Sequence, residues 1–169
     1  YKAETYKEIS LSEREAINPK VSPDGSQVVF TSIKENKSII TIVDLTNDKI
    51  DMLELGMDNY FDPSWSADGT KLVFAGLKGA VSEIYTYDLK SKNIVQLTQS
   101  PKRKKYWPRF SPYQFYDQYR IAYVSEEKGR KDIWWVRESG KHDQPITLPR
   151  DAIAEYEKSP YWKNEMAAV

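Results

Sequence analysis

Apolar residues in this chain come in short bursts rather than at helical intervals. Val28-Val29-Phe30, Ile39-Ile40, Leu72-Val73-Phe74 and Ile133-Trp134-Trp135-Val136 are each bounded by clusters rich in Gly, Pro, Asn, Asp or Ser. Such runs predict strands separated by turns. They also recur. "NPKVSPDGSQVVFTS" begins at Asn18, "DPSWSADGTKLVFAG" at Asp62 and "WPRFSPYQFYDQYRIAYVS" at Trp107. The anchoring prolines Pro19, Pro63 and Pro108 stand 44 and 45 positions apart. Downstream, "IITIVDLTNDKI" (39–50) matches "EIYTYDLKSKNI" (83–94), and Asp44 and Asp88 keep the 44-residue interval. In the third copy "DIWWVRESGK" (132–141) fills this place four residues late, because "YQFYDQ" (113–118) stands where the others turn with Asp-Gly.

Each copy reads as four strands, a to d in chain order. In the second they fall over 63–66, 71–76, 83–89 and 93–98, with turns at Ala67-Asp68-Gly69 and over 90–92. Gly25 and Gly69 suit a turn position with positive φ, and Asp24 and Asp68 can accept nearby backbone amides. The third strand of each copy lacks clean alternation, which predicts a strand covered on both faces. A four-stranded antiparallel unit every 44–45 residues is the pattern of a propeller blade, whose two faces are buried only by stacking on neighbouring blades. The expected fold class is therefore all-β: a β-propeller segment over 1–169 with blades at 18–55, 62–98 and 107–148. An edge strand of a preceding blade is expected over 5–11, and a further blade is expected to start over 159–169. Helix is expected nowhere except over 150–158. Because a propeller typically needs about 4–8 blades to close, further blades or self-association are expected to complete it.

The phrases at Asn18 and Asp62, with the following "IYTYDL" and "QLT", resemble the TolB-like, WD40-like propeller repeat. The resemblance covers about residues 5 to 162, and the third copy departs by losing Asp-Gly. It implies a non-catalytic protein-interaction scaffold, periplasmic or otherwise extracytoplasmic, in a propeller of six blades. Similar repeats occur in the propellers of prolyl-oligopeptidase-like and tricorn-like peptidases and in polysaccharide-acting proteins. A substrate-gating or carbohydrate-binding propeller is thus the alternative, since fold alone does not assign function.

Composition narrows the chemistry. Twenty-five basic residues balance 25 acidic ones, which argues against a duplex nucleic-acid binder. No apolar run is long enough to cross a membrane as a helix. The chain starts at Tyr1 rather than Met, so a processed or trimmed product is expected. There is no cysteine, no Gly-x-Ser-x-Gly elbow and a single histidine, His142, placed in a predicted surface turn. Serine hydrolysis and zinc binding both need more than that. Asp24 and Asp68 read as turn caps rather than calcium ligands, and Glu13/Glu15 and Glu126/Glu127 as solvated surface. No catalytic residue, metal or cofactor is therefore expected.

The basic run over 102–105, followed by Tyr106 and Trp107, is read either as a solvated loop or as a contact for an acidic or peptidic partner, with single-stranded nucleic acid a further option. In a propeller the b–c loops and d–a connectors share one rim, here over 33–37, 77–81, 125–131, 56–61, 100–107 and 149–158. These segments are expected to be long and irregular, as binding loops on rigid scaffolds often are. Tyr60, Phe61, Arg103, Lys104, Tyr106 and Trp107 are the expected partner-binding residues, for a protein or peptide.

Overall fold

The computed structural model describes residues 8–9, 11, 13–141 and 143–146. Within them there are twelve strands and no helix. They are β1 (Glu15–Val21), β2 (Gln27–Lys34), β3 (Lys37–Asp44), β4 (Ile50–Leu53), β5 (Asn59–Trp65) and β6 (Lys71–Lys78). The chain continues with β7 (Val81–Asp88), β8 (Ile94–Gln96), β9 (Lys104–Phe115), β10 (Gln118–Glu127), β11 (Arg130–Arg137) and β12 (Gln144–Pro145). Three four-stranded sheets follow in chain order, β1-β2-β3-β4, β5-β6-β7-β8 and β9-β10-β11-β12, every pairing antiparallel. Of the edge strand expected over 5–11, only Glu8, Ile9 and Leu11 are described, and none of these is in a strand. The helix expected over 150–158, the further blade over 159–169 and His142 lie outside the described residues.

One serine sets the a–b turn in all three copies. Gln27 N donates to Ser22 Oγ at 2.9 Å, Lys71 N to Ser66 Oγ at 2.9 Å and Arg120 N to Ser111 Oγ at 3.0 Å. In the first two turns the aspartate cap is present: Asp24 Oδ1 accepts Ser26 N at 3.0 Å, and Asp68 Oδ1 accepts Thr70 N at 3.0 Å. Gly25 and Gly69 sit at φ 77° and 70°, where a side chain is strained. The third copy keeps Ser111 and lengthens the strands instead. β9 runs to Phe115 and β10 starts at Gln118, joined by Tyr116-Asp117 with φ 50° and 58°. The inserted residues thus extend a hairpin rather than form a loop.

The b–c connections correct the expected long rim loops. They are two-residue turns at 35–36, 79–80 and 128–129. Glu35-Asn36 and Lys128-Gly129 have positive φ at both positions, and Gly79 has it at the first, as tight hairpins with right-handed strand twist require. The d–a connectors are the irregular part of that rim.

The core lies in the seams between sheets. In the first seam Val29, Ile40 and Ile42 meet Tyr60, Trp65, Leu72, Phe74, Tyr85 and Tyr87. In the second, Val73, Ala75, Ile84 and Leu97 meet Ile121, Tyr123 and Val136. Burying each such aliphatic or aromatic side chain contributes about 1.5–3 kcal/mol, so stacking of blades supplies most of the apolar driving force. The outer face of the third sheet has no such partner among the described residues. Ile133 occupies the strand position of Ile40 and Ile84, and is 41% exposed where those two are 0% exposed.

Candidate functional site

Each innermost strand carries a bulge at the residue before its anchoring proline. Register shifts fall between Ile17 and Lys20, between Phe61 and Ser64, and between Ala122 and Val124 of the strand facing Trp107-Pro108. Asn18, Asp62 and Trp107 sit there at φ 55°, 53° and 52°. A residue before proline is normally extended, and αL is tolerated best by Asn and Asp. The bulge turns these three side chains out of the pleat. Asn18 Nδ2 donates to Asp62 Oδ1 at 2.8 Å, and the Asp62 carboxylate accepts the Trp107 backbone N–H. Burial raises the Asp62 pKa, opposed by the Trp107 amide, Arg109 and Asn18. The belt changes character at Trp107, whose indole is 54% exposed.

Around Trp107 the structure brings together two of the six expected residues and one that sequence reasoning missed. The Tyr106 and Trp107 rings lie 6.3 Å apart at 47°. Lys131 Nζ stands 5.9 Å from the Trp107 ring centroid, within reach of a cation–π attraction. The Tyr106 phenol has its pKa raised by burial and by neighbouring Glu126, to which it is hydrogen-bonded. Arg103 lies over Trp134 at 3.9 Å and donates from Nη2 to Ser100 Oγ at 2.6 Å. Lys104 is exposed on the same strand as Tyr106.

The other two expected residues belong to the seams. Tyr60 is 3% exposed, and its phenol oxygen accepts Leu55 N at 2.6 Å and Met57 N at 3.0 Å. It therefore pins the d–a connector from inside, where a bound partner cannot touch its ring. Phe61 packs, partly buried, against the second seam.

The basic run over 102–105 is not uniformly solvated. Lys105 is 0% exposed and reaches Glu83 Oε2 at 2.8 Å. Its Nζ also donates to the carbonyls of Ser100 at 2.8 Å and Arg103 at 3.0 Å. Glu83 in turn accepts the Thr98 hydroxyl, and Ser100 N at 2.7 Å. Burial lowers the Lys105 pKa, while Glu83 works to raise it. The signal was available: Glu83 interrupts an apolar strand where the preceding copy has Ile39. Chemically this pair is a structural clasp, since its polar atoms are spent on one another and on backbone. Among the described residues no group of three or more His, Cys, Asp or Glu is placed to hold a metal ion. Nor do they include a helix long and apolar enough to cross a membrane.

The sequence profile of the TolB beta propeller domain matches residues 3–167. The chain belongs to that family. Its fold is similar to the TolB of Acinetobacter baumannii, with a TM-score of 0.65 at 19% identity, covering 81% of this chain and 33% of that one. It is also similar to a puromycin-hydrolyzing peptidase of Mycobacterium tuberculosis, with a TM-score of 0.63 at 15% identity over 81% of this chain and 24% of that one. The propeller domain of the Trilobed protease from Pyrococcus furiosus matches with a TM-score of 0.54 at 23% identity, over 78% and 43%. This TolB-type propeller segment thus spans less than half the length of those structures. At these identities the likeness is one of fold. No curated protein matches the sequence.

Proposed function

We propose that this segment is a non-catalytic interaction scaffold, periplasmic or otherwise extracytoplasmic, that binds a protein or peptide partner at the d–a rim. The observation that carries the reading is the pairing of exposed Trp107 with Tyr106, beside Lys131 and with exposed Lys104 two residues along the strand. A bulky residue held at positive φ with half its surface in water is costly to the fold. Aromatic residues beside cations are the usual composition of protein-binding hot spots. Tyr60 and Phe61 support the site by fixing the neighbouring connector. In the test, the full chain and its Y106A/W107A variant are used to capture proteins from an envelope extract. The variant is expected to lose the partner, identified by mass spectrometry, while melting as the parent does. Equal capture by the two proteins refutes the reading.

A second reading, favoured by the likeness to two peptidase propellers, is a substrate-gating segment. Finding a Gly-x-Ser-x-Gly domain elsewhere in the parent gene would favour it.

A further inference from the structure

A hollow of ≈ 410 Å³ opens on the rim of b–c turns and d–a connectors, between the turn that leads into β3 and the connector over 54–60. None of its lining belongs to the Trp107 cluster. Ile39, Met57 and Tyr60 give it an apolar wall; Ile39 and Tyr60 are buried, and Met57 packs, partly buried, on the first seam. Two anchors fix its polar side. Asn59 Oδ1 accepts Ser38 N at 2.8 Å and Ser38 Oγ at 3.1 Å, and Asp58 Oδ2 accepts Gly79 N at 2.7 Å. Arg14, Lys37 and Glu54 also line the hollow, and none of the three has a hydrogen bond or ion pair among the described residues. Arg14 is partly buried, where an unpaired charge is costly. Two cations and two carboxylates therefore surround one cavity without pairing to one another. The next copy spends its charges at this place: Lys105 and Glu83 stand where this copy has Tyr60 and Ile39, and they hold each other at 2.8 Å.

We infer that this hollow binds a small zwitterion with an apolar side chain, the ammonium and carboxylate of an α-amino acid or of the two ends of a short peptide. A ligand of one sign would be drawn to one pair of lining charges and repelled by the other, whereas a zwitterion satisfies both. The guanidinium of Arg14 has the fork geometry that takes a carboxylate through two parallel bonds. Glu54 offers acceptor oxygens to an ammonium. The apolar wall of Ile39 and Met57 receives the side chain. A volume near the lower end of ligand pockets, about 300–1,000 Å³, suits a small molecule rather than a folded partner. The inference is independent of the protein-binding reading, because it uses none of the residues on which that reading stands.

The test is isothermal titration calorimetry of the full chain with leucine and with leucylleucine, together with forms of each blocked at the carboxylate, at the amine or at both. At least one free zwitterion is expected to bind, and its doubly blocked form at least tenfold more weakly. Tighter binding of leucine assigns the site to free amino acids, and tighter binding of leucylleucine assigns it to peptide ends. R14A should lose at least tenfold for the free zwitterion, with no further loss when the ligand's carboxylate is amidated. E54A should behave in the same way toward acetylation of the amine. Because neither side chain has a partner among the described residues, both variants should melt as the wild type does. Y106A/W107A should bind the zwitterion unchanged, whatever becomes of its partner capture. No binding of either zwitterion at millimolar concentration overturns the inference. So does equal binding of free and doubly blocked forms, or undiminished binding by R14A or by E54A.

Discussion

Asn18 and Asp62 hold the same place in successive copies of the repeat, 44 positions apart, and are hydrogen-bonded to each other at 2.8 Å. The repeat is therefore a joint as well as a period. Each copy places a bulged residue before proline, and in the first two copies that residue reaches its counterpart in the next blade. Asp62 serves both seams, taking Asn18 Nδ2 on one side and the Trp107 amide on the other. D62A leaves both donors without this acceptor and should cost about 1–3 kcal/mol. D62N keeps an oxygen at the site and should cost less. Urea unfolding checks this: Cm should fall in the order D62N then D62A at constant m.

The buried clasp offers a sharper comparison. Tyr60 N donates to Ser38 Oγ at 2.8 Å in the first seam, and Lys105 N lies 3.4 Å from Ser82 Oγ in the second. Tyr60 and Lys105 are thus equivalent, as are Ile39 and Glu83. One seam fills this place with a phenol and an aliphatic chain, the other with an ion pair. Removing one partner strands a buried charge, so E83A or K105A should cost about 3–5 kcal/mol. E83I/K105Y, which copies the first seam, should recover most of that loss. A double variant no more stable than either single one would mean that the seams are not interchangeable.

The period, the four-strand units and the seam-facing apolar residues were legible because blade stacking repeats the same burial demand every 44–45 positions. Asp24 and Asp68 were legible because an Asx cap is local. The inside of the rim was not. Tyr60 and Tyr106 sit one residue apart in the repeat, yet one ring is buried and the other borders solvent, because strand parity ahead of the bulge turns them to opposite faces. Lys105 was hidden within a basic run whose other members face water or, at Arg103, the ring of Trp134.

Acid should loosen the turns before the seams. Ser22 hydroxyl, then Ser26, hold the Asp24 carboxyl at about 2, below its ordinary 3.8. Asp44 is lowered by Thr46 and Asp88 by Ser91, and Asp68 is lowered by Ser66 and Thr70 despite its desolvation. A carboxyl whose folded pKa is depressed stabilises the fold above its unfolded pKa, and that contribution is lost as pH falls through the folded one. The window therefore runs from about 4 down to about 2. Asp62 has the opposite sign: its pKa is raised, so protonating it does not cost stability. Melting temperature measured from pH 5 to pH 2 should drop, and D24N/D68N should start lower at pH 5 and show a flatter decline. An unchanged slope would assign the acid sensitivity to other carboxylates.

Trp107 separates folding from binding most cleanly. Its φ of 52° precedes Pro108, a backbone setting in which a bulky side chain is strained by about 1–3 kcal/mol. Asn18 holds the same position at φ 55° with a side chain suited to it. Because the indole is 54% exposed, replacing it forfeits little buried surface. W107N should therefore raise the stability of the chain by about 1 kcal/mol, read as an increase in Cm. If Trp107 is kept for contact with a partner, the same variant should lose partner capture while becoming harder to unfold, the exchange of stability for function that strained binding residues make. A W107N chain that is less stable than the parent would show that the indole packs more than its exposure indicates. Gain of stability with full capture would leave the strain unexplained by binding and move the contact to Tyr106 and Lys104.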